Sequence, residues 1–329
     1  MNGARRRRLL IASGALLAAP IAAFGQSKPE IRRIAYLGST SGESGRHLVR
    51  AFFDELSKMG WVDGQKLRID MRWAEGDPKK YDSLAAELLA SNPDLFVASV
   101  DAIARYAAAR TKTIPIVFVL GFDPVGLGVV KSLASPGGNV TGFSVLNYEL
   151  LPKRLSLLKE AVPKLVRLAV ICREGDKEAQ KWVKLLADDA GKLGIRILPG
   201  AMRDSEDIVA VFKDLARQKA DGVLNVPEPF FFQHRKLMAD LAVQHRMAAL
   251  FGATEFADAG ALMAYSTDFA AVYRQAARLV DRILKGAVPA AIPVEQSNVY
   301  ELIVNLRTAK ALGITVPRAI LLQATRVIE

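Results

Sequence analysis

Thr113–Leu146 reads TIPIVFVLGFDPVGLGVVKSLASPGGNVTGFSVL, and the fold turns on this stretch. Ile114 to Leu120 is apolar and rich in β-branched residues, and too short for a helix, so it predicts a buried strand. Gly121-Phe122-Asp123-Pro124 breaks that strand. Asp123 is suited to cap a helix with Pro124 at its first position, where a missing N–H costs nothing. The pattern therefore predicts a helix over 125–133, stopped by Ser135-Pro136-Gly137-Gly138-Asn139, a dense turn signal. Val140 to Val145 then predicts an exit strand. Strand, loop, helix, turn and strand in this order close one α/β half and lead into another.

The segments on either side repeat the alternation. Upstream, strands are predicted at 31–37, 67–73 and 95–99, with helices at 45–59, 81–90 and 101–111. Downstream, helices at 150–161, 178–192, 204–218 and 231–245 alternate with strands at 165–171, 195–200, 222–226 and 248–251. A further strand at 262–265 follows, then a long helix over 268–286, a strand at 300–304 and a helix capped by Asn305 and running to Leu312. Short apolar runs alternating with amphipathic helices imply parallel sheets covered on both faces. The expected fold class is α/β: two similar lobes, each an open parallel sheet flanked by helices, with a ligand cleft between them.

The 329 residues leave room for about two domains. A hydrophobic content of 51% supports large cores and excludes wholesale disorder. One cysteine, Cys172, excludes an internal disulfide and a thiolate cluster, and the histidines His47, His234 and His245 lie far apart in sequence. No metal or cofactor is expected. The net charge is +11, but four of those charges are Arg5–Arg8, and the remaining basic residues are interspersed with acids. This is a solvated mixed-charge surface, and no nucleic-acid partner is expected. Met1–Gly25 has the form of an export signal: Arg5–Arg8, an apolar region over 9–21, and Ala23-Phe24-Gly25 as a small-x-small cleavage pattern. The paired arginines before Leu9-Leu10 admit the twin-arginine route beside the ordinary secretory one. With no cysteine near the cleavage point, a lipid anchor is not expected.

Ligands of open α/β sheets bind beyond the carboxyl ends of the strands. That rule selects six loops. Ser39, Thr40 and Ser41 offer hydroxyls and backbone N–H groups to a carboxylate, or serve as loop and capping residues. In Ser99-Val100-Asp101, Asp101 either caps the following helix or turns its carboxylate toward an ammonium group. Phe122 offers apolar surface, and Asp123 is either a cap or a contact. Arg173, in Cys172–Asp176, is a bidentate partner for a carboxylate or a surface arginine. Asn225 and Glu228 end another strand, Glu228 being held between Pro227 and Pro229. Three aromatics, Phe230–Phe232, follow and cannot all face one side of a helix. Glu255 lies in the last loop. Carboxylates, one arginine, hydroxyls and aromatics together suit a small zwitterion or amine with an apolar part. There is no Gly-x-Ser-x-Gly elbow, phosphate loop, His-Glu-x-x-His helix or complete Gly-x-Gly-x-x-Gly fingerprint.

Asp123-Pro124-Val125-Gly126 followed by Ser135-Pro136-Gly137-Gly138-Asn139-Val140-Thr141-Gly142 resembles the tryptophan/tyrosine-type substrate-binding proteins of bacterial ABC importers. Ala74-Glu75-Gly76, LLKEAVP at 157–163, VDRILKG at 280–286, PVEQ at 293–296 and NLRTAKALG at 305–313 extend that resemblance, in order, over 31–329. The resemblance implies a type 1 periplasmic binding protein fold in which the chain crosses between lobes three times. It implies lobe 1 at 26–143 and 269–329, after a signal at 1–25, and lobe 2 at 144–268. Val100-Asp101 and Cys172-Arg173 depart from the residues usual in the family, and Glu228 stands where relatives commonly have aspartate. The implied function is a non-enzymatic, monomeric periplasmic protein whose lobes close on an amino acid or related amine and present it to separate permease and ATPase subunits. A ligand sensor of the same fold, and a secreted enzyme using Asp101, Glu228 and Glu255 as acid/base groups, are the alternatives.

Overall fold

The computed structural model describes residues 31–145 and 147–329; the expected export signal lies outside the described residues. The chain opens with β1 (Arg32–Gly38), α1 (Arg46–Lys58), β2 (Leu67–Trp73), α2 (Tyr81–Ala90), β3 (Leu95–Val100), α3 (Asp101–Arg110), β4 (Ile116–Gly121) and β5 (Val140–Ser144). It continues with α4 (Leu151–Ala161), β6 (Arg167–Arg173), α5 (Lys177–Lys192), β7 (Arg196–Met202), α6 (Asp207–Arg217), β8 (Gly222–Asn225), α7 (Pro229–Gln233), α8 (Arg235–Gln244), β9 (Ala248–Phe251), α9 (Glu255–Asp258) and β10 (Met263–Thr267). The last third holds α10 (Phe269–Leu284), β11 (Glu295–Gln296), β12 (Tyr300–Asn305), α11 (Leu306–Leu312), α12 (Arg318–Gln323) and β13 (Arg326–Ile328).

These strands form two sheets, ordered β11-β5-β4-β3-β1-β2 and β13-β12-β10-β9-β8-β6-β7. All pairings are parallel except β10 with β12. Every residue of β3 (LFVASV) and β4 (IVFVLG) is buried, as a parallel strand covered on both faces requires. Edge strand β2 (LRIDMRW) instead carries charges outward, which discourages pairing with another chain. The amphipathic α10 buries Phe269, Val272, Tyr273, Ala276 and Val280, and packs on α1 and β4 of the first sheet. Burying each of its larger side chains contributes about 1.5–3 kcal/mol. No helix among the described residues is long and apolar enough to cross a membrane.

Three expectations need correction. The helix expected at 125–133 does not form. Asp123 does accept Gly126 N (2.9 Å), and Val129 N reaches Pro124 O (2.9 Å), but the winding stops after one turn. Gly126 and Gly128 disfavour helix, and Gly128 adopts φ +67°, which ends it. The helix expected over 231–245 is two helices, broken at His234, and all three aromatics Phe230–Phe232 are buried. The tail expected at 269–329 in the first lobe is divided between the two sheets. After α10 and β11 in lobe 1, β12 pairs antiparallel with β10 (Met263 with Val304, Thr267 with Tyr300), and β13 extends that second sheet. An apolar strand finds its partner on the open edge of β10, so residues 300–329 belong with lobe 2.

Candidate functional site

Leaving aside the added edge strands, the first sheet runs β2-β1-β3-β4-β5 and the second β7-β6-β8-β9-β10. Each order reverses beside its first strand. There the loops leave in opposite directions and open a crevice at the carboxyl ends. In lobe 1 the crevice lies between the loops after β1 and β3, where Ser39 N donates to Ser99 Oγ (2.8 Å). In lobe 2 it lies between the loops after β6 and β8, near Arg173 and Asn225. A cavity with about 580 Å³ of unfilled space, counting its mouth, is lined by residues from both lobes.

Seven aromatic residues among those described line it: Tyr36, Trp73, Phe122, Phe269 and Tyr273 from lobe 1, and Phe232 and Phe256 from lobe 2. Tyr36 packs against Trp73 with ring centroids 5.5 Å apart, and its hydroxyl lies 3.4 Å from that of Tyr273. Burial holds both phenols above their ordinary pKa, so they are neutral. Polar atoms come from Ser39, Thr40 and Ser99 on one side and Asn147, Asn225 and Glu228 on the other.

Among the described residues, Glu228 carries the only charged side chain lining the cavity. Its Oε2 accepts Phe230 N (2.9 Å), which caps α7, and Pro229 fixes the first helical position. Burial raises its carboxyl to about 7, against the opposing pull of the Arg173 guanidinium. A cation brought alongside would restore the charged form. Hydroxyls and amides on the remaining wall suit a carboxylate or another acceptor, and the aromatics suit an apolar body.

Of the residues the sequence singled out, Ser39, Thr40, Ser99, Val100, Phe122, Asn225 and Glu228 line the cavity, and the other five do not. Asp101 is buried behind the wall. Its Oδ1 accepts Ala102 N (2.9 Å) and its Oδ2 accepts Asp123 N (2.7 Å), tying the loop after β3 to the loop after β4. Burial raises its carboxyl to about 6 despite these bonds. Asp123 closes the turn described above. Arg173 lies over the Phe230 ring, 4.3 Å from its centroid, and its buried Nη1 has no hydrogen-bond partner among the described residues. Ser41 and Glu255 stand at the cleft rim, where the lobes meet. Ser41 N donates to Gln233 Oε1 (2.9 Å), and His47 Nε2 lies 2.8 Å from Glu255 Oε1. Arg235 Nη1 donates to Ser44 Oγ (2.6 Å) and Gln233 Nε2 to Glu75 O (3.2 Å), so these lobes are closed on each other.

Sequence reasoning missed much of the wall. Trp73 ends β2, one position before a loop, and the carboxyl-end rule applied to that strand would have found it. Tyr36 lies within β1, and Phe269 and Tyr273 come from α10, a helix to which the carboxyl-end rule for strands does not apply. Asn147 follows the first crossing and carries no local signal. Behind it lies Arg154 of α4, wholly buried. Arg154 Nε donates to Tyr265 O (2.8 Å), Nη1 to Asn147 O (2.9 Å) and Nη2 to Asn147 Oδ1.

Comparison with known proteins agrees with this architecture. The family model for ABC transporter substrate binding proteins matches residues 33–328. A tyrosine-binding protein of Clostridioides difficile is 29% identical over 264 residues, covering 80% of this chain and 75% of that protein. Among solved structures, a conserved domain protein from Vibrio cholerae superposes with TM-score 0.83 at 28% identity, covering 91% of this chain and all of that one. An ABC domain from Streptococcus pneumonia in complex with L-Trp superposes with TM-score 0.82 at 25% identity, again over 91% of this chain and all of that one.

Proposed function

Starting from the fact that the chain belongs to the family of ABC transporter substrate-binding proteins, we propose that it captures an amino acid with an apolar, preferably aromatic, side chain and hands it to a membrane permease. The observation that carries this reading is the cavity itself. Among the described residues a single carboxylate, Glu228, lines a cavity that also bears seven aromatic residues and the hydroxyls of Ser39, Thr40 and Ser99. The ligand ammonium group pairs with Glu228, its carboxylate takes the donors of Ser39, Thr40, Ser99 and the amides, and its side chain fills the space among Trp73, Phe122 and Phe232. The tyrosine-binding relative and the L-Trp complex support an aromatic ligand.

Ligand acts by differential affinity: it contacts both lobes only when they are closed, so it shifts the population toward the closed form. The rim bonds from Ser41, Ser44 and His47 to Gln233, Arg235 and Glu255 form in that state. The protein then works outside the cytoplasm as a monomer, exported through Met1–Gly25, and separate permease and ATPase chains drive transport. No chemistry is performed on the ligand.

A thermal-shift screen of the mature protein against the proteinogenic L-amino acids tests the proposal. A ligand at a hundred times its Kd adds about 2.7 kcal/mol of stability, a shift of several degrees. Stabilisation confined to aromatic or large apolar amino acids is the expected result. No shift with any of them, or a ligand recovered chemically altered, refutes it.

A further inference from the structure

Arg154 is wholly buried, and none of its hydrogen-bond partners is a carboxylate: it bonds Tyr265 O, Asn147 O and Asn147 Oδ1. A guanidinium has donors and no acceptor, so the Asn147 amide atom facing it must be the oxygen. The Asn147 nitrogen is thereby turned the other way. It has two hydrogens, and its one protein acceptor among the described residues is Gly252 O, at a long 3.4 Å. Asn147 and Gly252 both line the cavity, and a Cβ built on Gly252 would lie 3.0–3.1 Å from the guanidinium atoms. The guanidinium therefore sits directly behind the wall, with no carboxylate among its hydrogen-bond partners in the described residues.

We propose that Asn147 is a ligand-binding residue whose side-chain N–H donates to the ligand carboxylate, and that Arg154 is the residue that positions it and supplies the buried positive charge. The proposal rests on the amino-acid reading of the cavity. It orients the α-carbon end of the ligand: ammonium toward Glu228, and the adjacent carboxylate toward the Asn147 corner. Glycine at 252 fits this arrangement, since a Cβ there would press on the guanidinium and force it to shift by a few tenths of an ångström. The same arginine bonds on both sides of the crossing between lobes, at Asn147 after β5 and Tyr265 within β10. The orientation of Asn147 is thus fixed by the segments about which the lobes close.

The test compares the L-amino acid that binds wild type most tightly with its primary carboxamide, which lacks the negative charge, by calorimetry. Four proteins are used: wild type, Asn147→Ala, Asn147→Asp and Arg154→Lys. A hydrogen bond to a charged group is worth roughly 10- to 100-fold in affinity. Asn147→Ala should weaken the amino acid by that factor and the carboxamide far less, so the preference for the free acid collapses. Asn147→Asp should invert the preference, because its carboxylate pairs with Arg154 and repels the ligand. Arg154→Lys keeps a charge but loses the forked bonds to the amide, and should lower the acid-to-amide ratio about tenfold while its circular dichroism remains native. A purely structural role would weaken both ligands equally and leave the ratio unchanged, which overturns the inference while the amino-acid reading stands. If wild type binds no amino acid, the amino-acid reading fails, and this inference fails with it.

Discussion

Glu228→Gln isolates the charge of the cavity from its shape. Glutamine keeps the length of the side chain, and its Oε1 still accepts Phe230 N, so α7 stays capped. What is lost is the negative charge, toward a ligand ammonium group and toward the Arg173 guanidinium. Truncating one partner of a buried, hydrogen-bonded charge pair costs ~2–5 kcal/mol. An isosteric amide belongs at the low end, ~2–3 kcal/mol, or roughly a 30- to 150-fold rise in Kd at about pH 8, where the carboxylate is charged. The pH dependence carries the sharper content. Burial raises the carboxyl of the empty site to about 7, whereas a bound ammonium favours the charged form. Binding therefore releases a proton below about pH 7, and acid opposes it. Wild-type affinity should fall by up to about tenfold per pH unit below that point, and the variant should not follow it. By about pH 5 the two proteins should bind nearly alike. Isothermal calorimetry with the best-binding L-amino acid, repeated across this range, measures both effects. A variant that binds within about twofold of wild type at about pH 8, or a gap that stays constant as pH falls, refutes the assignment of Glu228 to the ligand cation.

Other perturbations follow from particular contacts. A Cβ at Gly38 would lie 2.2–2.4 Å from Trp73 ring carbons, so Gly38→Ala should drive the indole out of place, cost ~1–3 kcal/mol in calorimetric stability and weaken aromatic ligands most. Asp101→Asn removes a carboxylate that accepts Ala102 N and Asp123 N, and should cost ~1–3 kcal/mol at neutral pH in chemical denaturation. Because the folded carboxyl is raised to about 6 from an ordinary value of 3.8, wild type gains stability as pH falls through that window, and the asparagine variant should lack this limb. His47→Ala or Glu255→Ala opens a rim contact whose histidine is 47% exposed, so affinity should fall no more than about fivefold, seen as faster ligand release in stopped flow.

The sequence carried the layered architecture because hydrophobic period reports burial directly: β3 and β4 are short, predominantly apolar runs, and α1 and α10 are one-sided helices. It failed where tertiary pairing decided the outcome. Nothing in Tyr300–Asn305 says whether the strand joins the first sheet or the open edge of β10, and Asp123-Pro124 is as good a start for one turn as for a helix. The site divides in the same way. Ser39, Ser99, Asn225 and Glu228 lie at or just beyond the carboxyl ends of strands, and topology alone brings such positions to the cleft. Asp101 shares that position, yet its carboxylate is engaged by backbone N–H groups, a fact no spacing discloses. Asn147 and Arg154 become visible only once the first crossing, α4 and β10 are packed together.

The claim that this protein captures one small molecule between its lobes and leaves it unchanged is tested most directly by native mass spectrometry of the mature chain, incubated with a mixture of the proteinogenic L-amino acids. The account predicts a single retained adduct with the mass of an aromatic or large apolar amino acid, released intact on unfolding and absent from Glu228→Gln. Absence of any adduct, or release of a molecule chemically altered from the one supplied, would contradict it.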